Sequence, residues 1–233
     1  MRQLVAVFLI AVVIAAPAVW GASKQQERLA ESAKVFQEIM NTPDQGIPAD
    51  LIARSACIGI FPSVKKLAFV VGGSHGAGFI LCRGNGGKGA WGAPSGFSVS
   101  GGSFGFQIGG SATDLVLLIM NQDGVEKLLQ DKFTLGADAS VAAGPVGRSA
   151  AANTDAQMSA KVLSYSRSKG LFAGLALDGA VLRPSGEDNE ELYGKKMEPK
   201  DILIDGKVGA PASAGKLIGI LNKYSSGQTK KPL

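Results

Sequence analysis

Basic side chains occur in several predicted turns of this 233-residue chain, next to hydroxyls and glycines. Lysine and arginine make charge-assisted hydrogen bonds to phosphate oxygens, and arginine presents a planar fork of N–H groups. Hydroxyls and loop N–H groups add further donors, so such turns suit a phosphate. We predict a phosphate-binding site formed by the cations Lys65, Lys66, Arg148, Arg167 and Lys169. The alternative is scattered, solvated surface charge, because the sequence does not show whether these turns converge.

Two stretches, residues 72–76 and 101–105, match the G-x-S-x-G pattern that exposes a nucleophilic serine in hydrolases. Catalysis would also need a histidine base, and His75 is the one histidine in the chain. His75 follows Ser74 directly, and adjacent side chains on a strand point to opposite faces, so it is badly placed to activate that serine. It also precedes Ser103, which reverses the hydrolase order. We predict no enzymatic activity.

Sequence patterns for cofactors and metals are also missing. No Gly-Lys-Ser or Gly-Lys-Thr of a phosphate-binding P-loop occurs. The acidic run at residues 187–191 fits a solvated loop better than a pair of catalytic carboxylates in a cleft. Cys57 and Cys82 have no histidine or further cysteine at ligand spacing. We predict neither a cofactor nor a metal site.

Composition places these residues in a globular domain with an unusual amount of glycine. The chain has 32 Gly among 233 residues, and fifteen of them lie between Gly72 and Gly110. An apolar content of 45% excludes a disordered chain, and the lack of a G-X-Y repeat excludes collagen. A net charge of +5 is far below the dense basic surface of a nucleic-acid binder, so we predict no nucleic-acid partner.

Hydrophobic periodicity indicates helices at both ends of this domain. Over residues 23–40, Leu29, Ala33, Phe36 and Met40 share one helical face, and a closing helix is predicted over 211–224. Between them lie short apolar runs separated by turn residues, which is typical of strands. Glycine is tolerated inside strands where they bend or approach another backbone closely. We predict an α+β fold: a glycine-rich, strongly curved, barrel-like antiparallel β-sheet covered by the N- and C-terminal helices.

The N-terminus fits a secretory signal peptide over residues 1–21. Arg2 precedes an unbroken apolar run at 4–20, and small residues suit cleavage after Gly21. An uncleaved membrane anchor is the alternative, although the run is short for a span. We expect an exported protein with a single domain over 22–224 and a flexible polar tail over 225–233. After export Cys57 and Cys82 could form one disulfide, and the alternative is two buried free thiols.

Several ordered blocks of the sequence resemble the SYLF-domain family, also called the actin-regulator or Las-seventeen-binding family. The resemblance extends over about residues 31–221, nearly the whole predicted domain. The blocks are CIGIFPSVKK at 57–66, the valine and glycines at 71–78, WGAP at 91–94, GFQIG at 105–109, GPVGR at 144–148 and YSRSKGLFAG at 165–174. Asn189 and the pair Tyr193-Gly194 fit the same pattern.

The resemblance implies a binding role without catalysis. Eukaryotic members of the family bind phosphoinositide-rich membranes and are tied to actin and endocytosis, whereas bacterial members are exported single-domain proteins. For an exported chain it implies an anionic phospholipid membrane as partner and a peripheral position in the periplasm or outside the cell. Export itself makes actin and phosphoinositides doubtful partners. The alternative is a structural or protein-interaction module of the envelope, with a protein partner and no lipid ligand.

The resemblance also implies that the five cations named above bind the anionic lipid headgroup. It further implies that the amphipathic N-terminal helix takes part in membrane binding, with Leu29, Phe36 and Met40 facing the lipid. Membrane-surface helices usually carry a basic polar face, and here three glutamates make that face mixed. The alternative is that the apolar face of this helix covers the core of the sheet.

Overall fold

The structure, a computed structural model, describes residues 22–42, 46–67, 73–102, 112–147, 157, 159–168 and 170–226, with residues 66, 67 and 102 described by their backbone only. The predicted signal peptide at 1–21, the tail from residue 227, Ser103, Arg148 and Lys169 lie outside the described residues. Within the described ranges, none of the helices combines the length and the apolarity that crossing a bilayer requires.

Helices stand at both ends of the described chain, and strands fill most of the middle. The helices are α1 (Lys24–Asn41), α2 (Ala49–Arg54), the single turn α3 (Gly84–Gly87), α4 (Gln122–Leu128), α5 (Gly186–Tyr193), α6 (Pro199–Leu203) and α7 (Gly215–Ser225), which follows a 3₁₀ turn at Ala212–Ala214. The strands are β1 (Cys57–Leu67), β2 (Gly73–Cys82), β3 (Ser95–Gly102), β4 (Thr113–Ile119), β5 (Phe133–Thr134), β6 (Val141–Ala143), β7 (Val162–Ser168), β8 (Leu171–Gly174) and β9 (Val181–Pro184). The predicted N- and C-terminal helices are confirmed as α1 and α7.

Helix α1 begins and ends where its sequence favours it. The Ser23 hydroxyl accepts a hydrogen bond from the Gln26 N–H at 3.3 Å, and the Gln26 side chain accepts one from the Ser23 N–H at 3.2 Å, which completes a capping box. The helix stops at Asn41, shortly before Pro43, and proline disfavours helical geometry in the residue that precedes it. Its apolar residues recur at three- and four-residue spacing, so one face can be buried.

One nine-stranded sheet forms the centre of the described chain. The strand order is β5-β9-β3-β2-β1-β4-β7-β6, and β8 also pairs with β7. The named strand pairs are antiparallel except β6 with β7, which is parallel. The predicted antiparallel sheet is therefore confirmed apart from this one short strand.

The sheet must curl strongly, because its two edge strands are close neighbours in sequence. A flat array of eight strands at ~4.8 Å spacing would separate β5 from β6 by about 34 Å. The chain from Thr134 at the end of β5 to Val141 at the start of β6 reaches only about 25 Å when fully extended. Leu135 and Ala139 also form a bridge inside this connection. The two edges therefore approach each other, which confirms the predicted barrel-like curvature.

Two glycines show why this sheet needs the residue. At Gly78 on β2, a Cβ atom would lie 2.7 Å from the Phe61 Cα atom of β1 and would also meet the Ile60 carbonyl oxygen. At Gly144, a Cβ atom would overlap the ring of Tyr165. At both positions the backbone passes closer to a neighbour than a side chain allows. Gly78, inside β2, shows the close approach predicted for glycine within strands, and Gly144 directly follows β6.

Apolar side chains fill both faces of the curled sheet. The helix-side core lies between the sheet and helices α1, α2 and α7, and the sheet contributes Ile60 and Phe79 to it. The inner core lies on the opposite face, and the sheet contributes Phe61 and Ile80 to it. Consecutive residues of β1 and β2 thus alternate between the two cores, as the two-residue period of a strand requires.

The apolar face of α1 is part of the helix-side core. Leu29 and Phe36 are fully buried there, and Met40 is half-buried against the same cluster. The prediction that these residues face a membrane is therefore wrong for Leu29 and Phe36, and Met40 packs with them. The physical reason is that the sheet presents an apolar outer face of its own, which α1 covers. The alternative interpretation, that the apolar face of this helix covers the core of the sheet, is therefore confirmed.

A disulfide joins the first residue of β1 to the last residue of β2. Cys57 and Cys82 lie directly opposite each other in the antiparallel pair, and their sulfur atoms are bonded. Both side chains are buried in the inner core. The sequence left open a disulfide or two free thiols, and the structure has the disulfide. The disulfide links β1 and β2 at the end of the sheet that is remote from Lys65.

Candidate functional site

Strand pairing brings two of the predicted cations to one end of the sheet. Val64 of β1 pairs with Thr113 of β4, and Asp114 of β4 pairs with Arg167 of β7. Lys65 and Arg167 therefore lie about two strand spacings apart, which is about 10 Å. We call this part of the molecule the Lys65 end of the sheet.

The three remaining predicted cations are described less fully. The backbone of Lys66 pairs with Ser74 of β2, which places it at the Lys65 end. Arg148 and Lys169 lie outside the described residues, so their predicted contribution stays a prediction.

Arg167 is held by two carboxylates. Its Nε and Nη2 atoms donate to Asp114 Oδ2 at 2.9 and 2.8 Å, and its Nη1 atom donates to Glu38 of α1. Partial burial disfavours the charged guanidinium, but these hydrogen bonds outweigh it and raise the pKa of Arg167. Arg167 therefore ties α1 and β7 to β4 with its charge already compensated by these carboxylates, and its role as a headgroup ligand stays a prediction.

A bulge in β1 decides which way Lys65 faces. The pairing of β1 with β4 shifts by one residue between Phe61 and Val64, and its pairing with β2 shifts over the same segment. Phe61 and Val64 both lie in the inner core although they are three residues apart. Without the extra residue, strand alternation would turn Lys65 towards the inner core. With it, Lys65 faces the helix side and is exposed.

Asp114 binds both Arg167 and the backbone of this bulge. Its Oδ1 atom accepts a hydrogen bond from the Ser63 N–H at 2.9 Å. Ser63 has a φ of 52°, and this left-handed conformation costs a residue with a side chain about 1–2 kcal/mol. The hydrogen bond to the carboxylate offsets part of that cost. The two oxygens of Asp114 thus have separate partners, the bulge and the guanidinium.

Five polar side chains share the helix-side face near the Lys65 end. Lys65 pairs with His75 of β2, and His75 pairs with Ser100 of β3. Ser98, two residues before Ser100 on the same face, pairs with Arg183 of β9. Side chains of directly paired residues point the same way, with their Cβ atoms about 5 Å apart. We call these five residues, Lys65, His75, Ser98, Ser100 and Arg183, the polar patch.

The basic side chains of the polar patch are uncompensated. Lys65, His75 and Arg183 are exposed, and within the described ranges none of their side chains makes an ion pair or a hydrogen bond. The acids on the far side of Lys65, Asp114 and Glu38, already bind Arg167. The patch therefore offers an ammonium, a guanidinium, an imidazole and two hydroxyls to an anion.

Ser74 and His75 lie on opposite faces of β2. The Ser74 side chain is buried with its hydroxyl 3.5 Å from the Gly101 carbonyl oxygen, whereas His75 is exposed on the helix side. This placement agrees with the expectation that His75 is badly placed to activate Ser74. The sequence motifs indicated His75 only as a possible catalytic base, and they did not indicate Ser98, Ser100 or Arg183. The pairing register of β1, β2, β3 and β9 is the signal that would have found them.

An exposed leucine lies at the same end of the sheet. In the hairpin of β7 and β8, Ser168 pairs with Leu171, and Gly170 takes a φ of 81° that suits the tight turn. Leu171 is 75% exposed, more than any other large apolar side chain in the described chain. About three strand spacings, about 14 Å, separate it from Lys65. Its neighbour Phe172 packs in the helix-side core, so Leu171 points to the opposite face of the sheet from Lys65, and the two side chains share only this end of the sheet.

The acidic run at residues 187–191 is part of helix α5, so the expectation of a solvated loop was wrong. The Ser185 hydroxyl caps the helix by accepting from the Asp188 N–H at 3.2 Å, and acids in the first turn suit the helix dipole. Asn189 is fully buried, and its Oδ1 atom accepts from the Gly96 N–H at 2.7 Å. This segment fastens α5 to β3.

Comparison with known families gives this arrangement its context. The family model described as Ysc84, Las17-binding protein actin regulator, matches residues 100–224, from the end of β3 to α7. The chain belongs to this family. The resemblance inferred from the sequence blocks is thereby confirmed. The matched range includes Arg167, Arg183 and Leu171 of the Lys65 end.

The Ysc84 domain of this chain has curated relatives in animals and yeast. It is 37% identical over 204 residues to the SH3 domain-containing YSC84-like protein 1 of Rattus norvegicus, covering 86% of the chain and 59% of that protein. The protein of the same name from Homo sapiens is 36% identical, covering 86% and 58%. The LAS seventeen-binding protein 3 of Saccharomyces cerevisiae is 36% identical over 181 residues, covering 76% and 39%. The chain thus spans 59% or less of each of these relatives.

The names within the Ysc84 family describe binding and regulation. One group of relatives is named for an SH3 domain, and the yeast protein is named for binding to LAS seventeen. The family model itself is described as an actin regulator. These are names of adaptor-type proteins rather than of enzymes.

Proposed function

We propose that the Ysc84 domain of this chain is a non-enzymatic module that binds membranes containing anionic phospholipids. The observation that carries the proposal is the Lys65 end of the sheet, which has the uncompensated Lys65 on the helix side and, about three strand spacings away on the opposite face, the 75% exposed Leu171. Each lysine or arginine near an anionic membrane surface contributes about 1 kcal/mol, and full burial of a leucine about 1.5–3 kcal/mol. Together they give a peripheral attachment that depends on salt.

Export is the second part of the proposal. With the predicted signal peptide at residues 1–21, the domain acts in the periplasm or outside the cell and meets the anionic phospholipids of an envelope membrane. Mass spectrometry of the protein recovered from cell fractions tests this part. The expected first residue is Ala22, and recovery of an intact N-terminus from the membrane fraction would instead support an uncleaved anchor.

Co-sedimentation with vesicles tests the lipid part. Phosphatidylcholine vesicles with phosphatidylserine should bind the protein, and phosphatidylcholine vesicles alone should not. Binding should weaken as the salt concentration rises, because exposed charges are screened. Equal binding to both kinds of vesicle would contradict the headgroup part of the proposal.

Charge reversal locates the surface. Lys65→Glu and Arg183→Glu should each lower the affinity for the anionic vesicles by about thirtyfold, since each replaces an attraction of about 1 kcal/mol by a repulsion of similar size. Lys88→Glu is the matched control, because Lys88 is exposed after the end of β2, at the opposite end of the sheet. Leu171→Ser should lower the affinity without changing the salt dependence. A loss as large in Lys88→Glu would show that only net charge matters.

A protein-interaction module without a lipid ligand is the second candidate function. It is favoured by the yeast relative, which is named for binding a protein. A stoichiometric partner that stays bound at high salt would support it, because a contact steered by exposed charges weakens there. The Lys65→Glu variant separates the two functions, since it should keep such a partner while losing the vesicles.

A further inference from the structure

We infer that Asp114 is a positioning residue for membrane binding, which sets the direction of Lys65 through the β1 bulge without touching the ligand. The inference rests on the proposed function and concerns an acidic residue that no basic motif indicates. Charge alone gives the opposite expectation, because an acid close to a cationic patch weakens its attraction to an anionic surface. The sign of the effect therefore separates the two explanations.

The contacts of Asp114 divide between its two oxygens. Oδ1 accepts from the Ser63 N–H at 2.9 Å, and Oδ2 accepts from Nε and Nη2 of Arg167 at 2.9 and 2.8 Å. The Asp114 side chain is only 14% exposed. Arg167 fixes the orientation of the carboxylate, and Glu38 in turn holds Arg167 from the side of α1. The oxygen that faces the bulge is thus held in place from both β7 and α1.

The bulge is what keeps Lys65 opposite His75. Ser63 adopts its left-handed conformation at the point where the strand register shifts, and Lys65 follows two residues later. Without the carboxylate oxygen, the Ser63 N–H has no partner within the described residues, and the φ of 52° is held less firmly. The segment then leaves its strand position, and the Lys65 ammonium is no longer kept in the polar patch.

Two substitutions at Asp114 test this step with the full chain and the phosphatidylserine vesicles. Asp114→Ala removes the acceptor and should lower the affinity by about fivefold, the effect of about one cation at an anionic surface. Asp114→Asn has one oxygen left, for which the two Arg167 N–H groups and the Ser63 N–H compete, so its NH2 group faces one set of donors and the affinity should fall here as well. A gain of affinity in either variant, as charge alone predicts, would overturn the inference.

A double-mutant cycle shows whether Asp114 acts through Lys65. Lys65→Gln should lower the affinity by about fivefold in the unmodified protein and by less than about twofold when added to Asp114→Ala. Independent effects would instead multiply to about 25-fold and would contradict the inference. Ser63→Gly added to Asp114→Ala should restore part of the affinity, because glycine adopts a positive φ without steric cost. A role of Asp114 in stability alone would not produce this non-additivity.

Two further measurements keep the outcomes distinct. Hydrogen exchange of the Ser63 amide should be slow in the unmodified protein and fast in Asp114→Ala and Asp114→Asn, and this readout needs no lipid. Unchanged exchange in Asp114→Ala would refute the role of Asp114 even if the vesicles bind. Failure of the unmodified protein to bind anionic vesicles would refute the proposed function. Asp123→Asn is the control, since it removes an exposed acid paired with Lys161 at 3.1 Å and should not lower the affinity.

Discussion

Arg28 of α1 and Asp188 of α5 form an ion pair of 3.0 Å with only 14% and 13% of their side chains exposed. Gln25, which is 1% exposed, donates from its Nε2 atom to the other oxygen of Asp188 at 2.8 Å and to Glu191 at 2.7 Å. The side-chain amide oxygen of Gln25 accepts a hydrogen bond from Nη1 of Arg28. The N-terminal half of α1 is thus fastened by a closed set of polar contacts, so that the helix stays over the sheet.

Loss of this ion pair should cost more than loss of an exposed one. Arg28→Met leaves the carboxylate of Asp188 half-buried without its cation, and we expect the free energy of unfolding to fall by about 2 kcal/mol. Arg54→Met is the control, because the ion pair of Arg54 with Asp50 at 3.3 Å is 62% and 68% exposed. Its effect should stay within about 0.5 kcal/mol. Urea unfolding measures both, and equal effects would contradict the importance of burial.

The contact between Glu38 and Arg167 should make the attachment of α1 depend on pH. The hydrogen bond from Arg167 lowers the pKa of Glu38 below its ordinary value of 4.5. A carboxylate with a lowered pKa stabilises the fold above its unfolded pKa, and this contribution is lost as the pH falls through the folded pKa. Glu38→Gln should therefore lower the free energy of unfolding at pH 7 and leave it unchanged at pH 3.

The size of that pH effect is limited by solvent. The Glu38 side chain is 44% exposed, so we expect a difference of about 0.5 kcal/mol at pH 7 after screening. Urea unfolding of both proteins at pH 7, 5 and 3 measures it, and Glu31→Gln is the control for a glutamate of the same helix that is paired only at 3.7 Å with the exposed Lys34. A difference between Glu38→Gln and the unmodified protein that grows towards pH 3 would contradict the sign.

The helices and the curvature of the sheet could be predicted because their signals are local. The spacing of Leu29, Ala33 and Phe36 specifies an amphipathic helix whatever it packs against, and Gly78 marks a close approach that any strongly bent sheet needs. The identity of the surface that the helix covers depends on residues far away in sequence. The same apolar face suits a membrane or a sheet, and only the apolar outer face of β1 and β2 decides between them.

The composition of the polar patch could not be predicted for a related reason. Lys65 and His75 are ten positions apart in sequence, and whether they share a face depends on the single extra residue in β1. Ser63 in its left-handed conformation supplies that residue, and serine is not a residue type that predicts a bulge. Arg167 looked like a free cation because the carboxylates that bind it come from two distant segments.

Glycine at position 78 should be required, whereas glycine at position 73 of the same strand should not be. A Cβ atom on Gly78 would lie 2.7 Å from the Phe61 Cα atom, and backbone cannot move aside cheaply. We expect Gly78→Ala to lower the free energy of unfolding by about 3 kcal/mol. A Cβ atom on Gly73 would meet only the Gly101 carbonyl oxygen at 3.5 Å, an ordinary contact. Thermal unfolding of Gly73→Ala should match the unmodified protein, and similar losses in both would contradict the close approach.

The disulfide should contribute to stability through the unfolded chain. Cys57 and Cys82 are 25 positions apart, and closing a loop of this length stabilises a fold by about 3 kcal/mol in the chain-entropy model. Unfolding in guanidinium should shift to lower denaturant when a reductant is added. The double variant Cys57→Ala with Cys82→Ala is the control and should not respond to reductant. A reductant effect of the same size in that variant would contradict the disulfide as its source.

Removing one hydroxyl should stabilise the protein, and removing another should destabilise it. The Tyr165 hydroxyl is buried without a hydrogen-bond partner in the part of the chain that the structure describes, and burial raises its pKa. Tyr165→Phe keeps the ring that stacks on Phe172 and should raise the free energy of unfolding by about 1 kcal/mol, because an unpaired buried polar group is costly. The Tyr193 hydroxyl donates to the Pro94 carbonyl oxygen at 2.6 Å, so Tyr193→Phe should lower it by about 1 kcal/mol. Urea unfolding compares the two, and effects of the same sign would show that hydrogen bonding does not separate these tyrosines.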